Sequence, residues 1–124
     1  MRLRNVPGAR EVMIENEYVF TEPEGMKGTW SQVFGNDNPI RIEIGMGKGT
    51  FITTLAANNP DINYVGIEKY SSVLLRAVEK QDELQLPNLR FIRMDAEAIC
   101  EVFGEGEVDR ICLLYTSPSP RDCS

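Results

Sequence analysis

Ile40-Arg41-Ile42-Glu43-Ile44-Gly45-Met46-Gly47-Lys48-Gly49-Thr50-Phe51-Ile52 decides the fold. Its first five residues alternate apolar and charged side chains, the period of a strand. Phe51, Ile52, Leu55 and Ala56 then fall at helical spacing. Three alternating glycines separate the two periods, so a strand enters a sharp turn that opens directly into a helix. Asn59-Pro60 is the expected end of that helix.

Downstream the unit repeats. Asn63 to Glu68 reads as a second strand. Ser71 or Ser72 can cap a helix carrying Val73, Leu74, Ala77, Val78 and Leu84, which Leu86-Pro87-Asn88 ends. Leu89 to Met94 is a third strand, and Asp95 can cap a short helix running through Phe103. Gly104-Glu105-Gly106-Glu107 leads to a fourth strand from Val108 to Leu114. Strands alternating with helices at this spacing imply a parallel α/β sheet whose ligands sit at the carboxyl ends of the strands. Upstream, Pro7-Gly8 and Glu22-Pro23-Glu24-Gly25 punctuate a mixed stretch. There Thr29-Trp30-Ser31-Gln32 has capping-box spacing before a short helix ending at Gly35. The expected organisation is an N-terminal extension over 1–39, a partial α/β domain of about four strands over 40–115, and a tail over 116–124 that does not continue the sheet.

Composition narrows the chemistry. The 124 residues include 13 Lys+Arg, 19 Asp+Glu and no histidine, for a formal charge of −6. Catalytic triads, zincin-type metal sites and histidine proton shuttles are thereby excluded, and no metal is expected. The acidic balance argues against a surface that tracks phosphate throughout, although Arg2, Arg4 and Arg10 make the first ten residues basic. Cys100, Cys112 and Cys123 form no C-x-x-C pair and read as thiols of a reducing compartment. The start of the chain lacks a secretory pattern, and no run of 18 apolar residues occurs, so a cytoplasmic protein without a membrane span is expected.

The glycine turn admits two nucleotide readings. A P-loop requires G-x-x-x-x-G-K-S/T, but Ile42 stands where the first glycine belongs and Gly49 follows the lysine. A dinucleotide fingerprint, G-x-G-x-x-G/A, meets Thr50 at its third position, which leaves a nicotinamide site as an alternative. Lys48 is either a solvated charge or a ligand contact. Glu68 ends the second strand, where a carboxylate can accept from a ribose diol. Asp95-Ala96 follows the third strand, and Asp95 either accepts from an adenine amine or caps the next helix. Glu43, Glu68 and Asp95 on three consecutive strands, with no basic phosphate cradle, suit an adenosine that carries positive charge and no phosphate. S-adenosylmethionine is such a ligand.

Across residues 1 to about 113 the sequence resembles the bacterial tRNA (guanine-N7)-methyltransferases, S-adenosylmethionine-dependent enzymes of Rossmann-like fold. The resemblance rests on Lys27-Gly28-Thr29-Trp30, Val33-Phe34-Gly35-Asn36-Asp37-Asn38-Pro39, Ile42 to Gly49, Pro60 to Glu68, and Asp95-Ala96. It implies that Glu43, Glu68, Asp95 and Ala96 bind the cofactor and that Gly45, Gly47 and Gly49 surround its methionine moiety. The implied reaction methylates a guanine ring nitrogen in the variable loop of tRNA. That nitrogen carries a lone pair and no proton, so the missing histidine is chemically tolerable. Beyond Arg110-Ile111 the family continues into a Pro-Trp-Pro-rich basic segment with a functional aspartate, whereas here Thr116-Ser117-Pro118-Ser119-Pro120-Arg121-Asp122-Cys123-Ser124 follows. No role transfers to Asp122, the tail reads as non-native, and the catalytic residues are expected in a missing C-terminal half. The chain is therefore expected to be a truncated fragment, inactive on tRNA. The alternatives are a fragment of an NAD-binding oxidoreductase and a non-catalytic RNA-binding module using Arg2, Arg4 and Arg10 as a basic arm.

Overall fold

The computed structural model describes residues 16–46 and 49–113. Five parallel strands form one sheet: β1 (Val19–Phe20), β2 (Ile40–Ile44), β3 (Asn63–Glu68), β4 (Leu89–Arg93) and β5 (Arg110–Leu113), in the order β1-β4-β3-β2-β5. Between them lie α1 (Trp30–Phe34), α2 (Thr50–Asn58), α3 (Ser71–Leu84) and α4 (Ile99–Val102), with 3-10 turns at Pro23–Gly25 and Ala96–Ala98. The expected strands at 40–44 and 63–68 form with those bounds, the third ends one residue earlier than expected and the fourth begins two residues later. The basic arm at Arg2, Arg4 and Arg10, the turn residues Gly47 and Lys48, and the tail 116–124 lie outside the described residues.

The segment before Ile40 supplies a fifth strand that the sequence pattern did not announce. Two residues are too few to show an alternation, yet Val19 and Phe20 pair with Phe91 and Ile92 at the edge of β4. The central strand β3 is buried from Asn63 to Ile67 and therefore carries apolar residues without alternation. One sheet face packs Tyr64, Leu89 and Phe91 against Ile52 and Ala56 of α2 and Leu74, Ala77 and Val78 of α3. The opposite face packs Ile40, Ile42, Val65, Ile67 and Ile92 against Trp30, Val102 and Phe103.

Helix ends depart from the sequence reading in an instructive way. The capping box at Thr29 does not form: its hydroxyl donates to the Met26 carbonyl at 2.7 Å. The donors of the α1 start are met instead by Glu107, whose carboxylate accepts from the Gly28 and Trp30 amides at 2.9 and 3.0 Å and from Gly104 N at 2.8 Å. Helix α3 begins at Ser71 with Tyr70 as its extended N-cap residue, and neither serine makes a side-chain cap. Asn88 holds the far end of α2, its amide nitrogen donating toward the carbonyls of Ala56, Asn59 and Ile62 at 2.9 to 3.0 Å. Arg90 lies between the rings of Tyr18 and Phe34, 5.4 Å from each centroid, and tacks the early segment to the sheet. Cys100 is an exposed free thiol.

Trp30 is the largest fully buried side chain. It stacks on Phe103 at 5.0 Å, meets Phe20 edge-on at 5.3 Å and donates its indole N–H to the Val102 carbonyl at 3.0 Å. Trp30→Ala is expected to cost about 4 kcal/mol of stability through the cavity and the orphaned carbonyl, measured by urea unfolding of the whole chain.

Candidate functional site

Strands β2, β3 and β4 are adjacent and parallel, so their carboxyl ends share one edge of the sheet. Register places Glu43 opposite Gly66, two residues before Glu68, so the first carboxylate sits about 7 Å behind the edge that the second one ends. The turn after β2 is tied to β3 by a hydrogen bond from Gly45 N to the Ile67 carbonyl at 3.2 Å. Gly45 and Gly49 have φ of 73° and 79°, the left-handed region that glycine adopts without strain. Gly49 N donates to the Met46 carbonyl at 3.1 Å, and the Gly49 carbonyl accepts from Thr53 N and its hydroxyl at 3.0 and 2.8 Å. Gly49 thus opens α2 with its own N–H and carbonyl engaged.

The three carboxylates brought together here differ in electrostatic state. Glu43 is 2% exposed and neither of its oxygens has a hydrogen-bond partner. Desolvation by burial pushes its pKa up to about 7. Glu68 is half-buried, and its Oε2 accepts from the Lys69 and Tyr70 amides at 3.0 and 3.2 Å, which fixes the carboxylate over the start of the following turn. Asp95 is exposed, and of its two readings the cap is the one the structure shows. It does cap the 3-10 turn, one oxygen accepting from Glu97 N at 2.9 Å, and its other oxygen lies 3.6 Å from the Lys69 ammonium. The Glu97 amide holds its carboxyl below the ordinary range; slight desolvation opposes this and Lys69 adds to it. Ala96 follows as the first residue of that turn.

Two participants were not singled out from the sequence. Lys69 joins the ends of β3 and β4 through Asp95 and lies 5.8 Å from the Tyr70 ring centroid. Met46, in the variable position between two glycines, is buried against β3. A lysine beside an acid and a methionine inside a glycine turn carry no pattern that distinguishes them from surface residues.

A family model described as "Putative methyltransferase" matches residues 37–122. The chain belongs to this methyltransferase family. Curated relatives named tRNA (guanine-N(7)-)-methyltransferase resemble it closely. One from Lachnoclostridium phytofermentans is 62% identical over 122 residues, 98% of this chain and 57% of the relative. One from a Geobacillus species is 51% identical over 98% of this chain and 56% of its own length. The methyltransferase chain thus spans about half the length of the curated relatives it matches. Among solved structures, one titled as an antibiotic-related methyltransferase superposes with a TM-score of 0.60 at 25% identity, covering 71% of this chain and 45% of its own. The fold is accordingly the Rossmann-like one expected of an S-adenosylmethionine-dependent methyltransferase. Among the described residues, no helix is long and apolar enough to cross a membrane, and no three His, Cys, Asp or Glu side chains group as metal ligands.

Glu43 ties stability to pH. The folded chain keeps its proton up to about pH 7, whereas the unfolded chain releases it near 4.5. Between those values the unfolded state binds fewer protons, so stability falls as pH rises. Glu43→Gln is expected to leave stability unchanged at pH 4 and to raise it at pH 8 by up to about 3 kcal/mol, read from denaturant midpoints across that range.

Proposed function

We propose that this chain is the cofactor-binding portion of a cytoplasmic tRNA (guanine-N7)-methyltransferase, with residues 40–115 as its partial catalytic-fold domain, 1–39 as an N-terminal extension and 116–124 as a tail with no functional role. The observation that carries the reading is 62% identity, over 98% of the chain, to a relative of that name. S-adenosylmethionine fits the residues present. The two buried, unpartnered oxygens of Glu43 call for a cationic group. NAD, an anionic ligand, would leave that carboxylate unsatisfied.

S-adenosylmethionine supplies an electrophilic methyl group on a sulfonium. Toward it, Glu43 provides the negative charge by releasing its proton as the cation arrives, and Gly45, Gly47 and Gly49 provide close backbone approach. Glu68 is held by its own turn amides so that its Oε1 can accept from a ribose hydroxyl without reorganisation. Asp95 and Ala96 stand at the adenine end, where the aspartate has acceptor capacity beyond its bonds to Glu97 and Lys69. These residues bind and orient. The groups that hold the guanine belong to the part of the relatives' length that this chain does not span.

Calorimetry separates the readings. The chain is expected to bind S-adenosylhomocysteine and not NAD, and Glu68→Ala to weaken that binding by about tenfold to a hundredfold. Preference for NAD would overturn the cofactor assignment. Labelled methyl transfer to tRNA transcripts, with nucleoside analysis for 7-methylguanosine, tests the reaction; the 124-residue chain is expected to give none, and turnover by it would overturn the division of roles proposed here.

A further inference from the structure

The glycine turn is seated from inside the core. Met46 is 6% exposed and belongs to the cluster that includes Ile52 of α2, Ala77 of α3 and Phe91 of β4. Its Sδ occupies the space that a Cβ on Gly66 of β3 would fill, with Phe91 Cδ1 and Ile52 Cδ1 at 3.1 and 3.2 Å from the same point. Gly66 is not among the glycines of positive φ. Its lack of a side chain therefore serves close approach, and what approaches is Met46. At the other end of the turn, a Cβ on Gly49 would overlap Ala77 Cβ, so α3 abuts the backbone there. Between these two contacts the turn keeps its hydrogen bonds from Gly45 N to Ile67 and from Gly49 N to Met46. A flexible, polarizable thioether fills such an irregular gap, and leucine conserves most of its volume.

We propose that Met46 is a positioning residue for the cofactor turn: its side chain, plugged into the gap left by Gly66 on β3, fixes how the turn that Gly45 opens and Gly49 closes stands against the sheet edge. The residue acts through the turn's backbone and touches no reacting atom. The inference rests on the cofactor reading only for its consequence in binding; the seating itself is a property of the chain alone.

The test uses the whole chain with Met46→Ala, Met46→Leu and Gly66→Ala, read by amide hydrogen exchange and by S-adenosylhomocysteine calorimetry. In Met46→Ala the Gly45 and Gly49 amides are expected to exchange at least about tenfold faster relative to Phe91 and Ile92, while Met46→Leu stays within about threefold of the parent. Binding is expected to follow the same order, weakening about tenfold in the alanine variant and little in the leucine one. Gly66→Ala keeps Met46 but takes its seat, so it must loosen the same two amides selectively; this arm decides the matter if Met46→Ala does not fold. A uniform acceleration at Gly45, Gly49, Phe91 and Ile92, or none, would overturn the proposal. Failure of the parent chain to bind S-adenosylhomocysteine would instead count against the cofactor reading, with the exchange data still deciding the role of Met46.

Discussion

Burial of β3 on both faces is the constraint on which the other elements depend. From Asn63 to Ile67 every residue is inaccessible, so each face needs a covering layer and each backbone edge a neighbouring strand. Helices α2 and α3 cover one face, and Trp30, Val102 and Phe103 cover the other. Strands β2 and β4 meet the edges in parallel register. The polar start of the strand is absorbed in part, since Asn63 Nδ2 donates to Asn36 Oδ1 at 2.7 Å while its Oδ1 is buried without a partner. Parallel neighbours bring their carboxyl ends to one side, and Glu43 and Glu68 of β2 and β3 and Asp95 after β4 converge there as a result.

That convergence gives three acids three different readinesses. Glu43 lacks solvent and partners, so it keeps its proton near neutrality. Glu68 is already oriented by the two amides that follow it. Asp95 is divided between a turn amide and a lysine. Along this edge the carboxylates thus grade from wet at Asp95 to dry at Glu43.

Much of the sheet was legible in the sequence because its signal is periodic. The alternation at Ile40–Ile44 and the apolar run at Asn63–Glu68 give strand bounds directly, and the glycines between Ile44 and Thr50 mark the turn. The three acids were legible because strand ends can be counted. What escaped depends on distant partners. Strand β1 is two residues long and exists because β4 offers an edge. Thr29 has a capping sequence but yields the role to Glu107, 77 residues after Trp30. Gly66 resembles any strand glycine until Met46 is seen lying against it.

The reach of Glu107 has a meaning in time. On a growing chain α1 can be translated long before its amide acceptor exists, because the carboxylate that satisfies Gly28 and Trp30 arrives with the last turn before β5. Strand β1 likewise waits for β4, and Trp30 waits for Val102 and Phe103. Residues 19–30 therefore gain their full set of partners only once synthesis has passed residue 107.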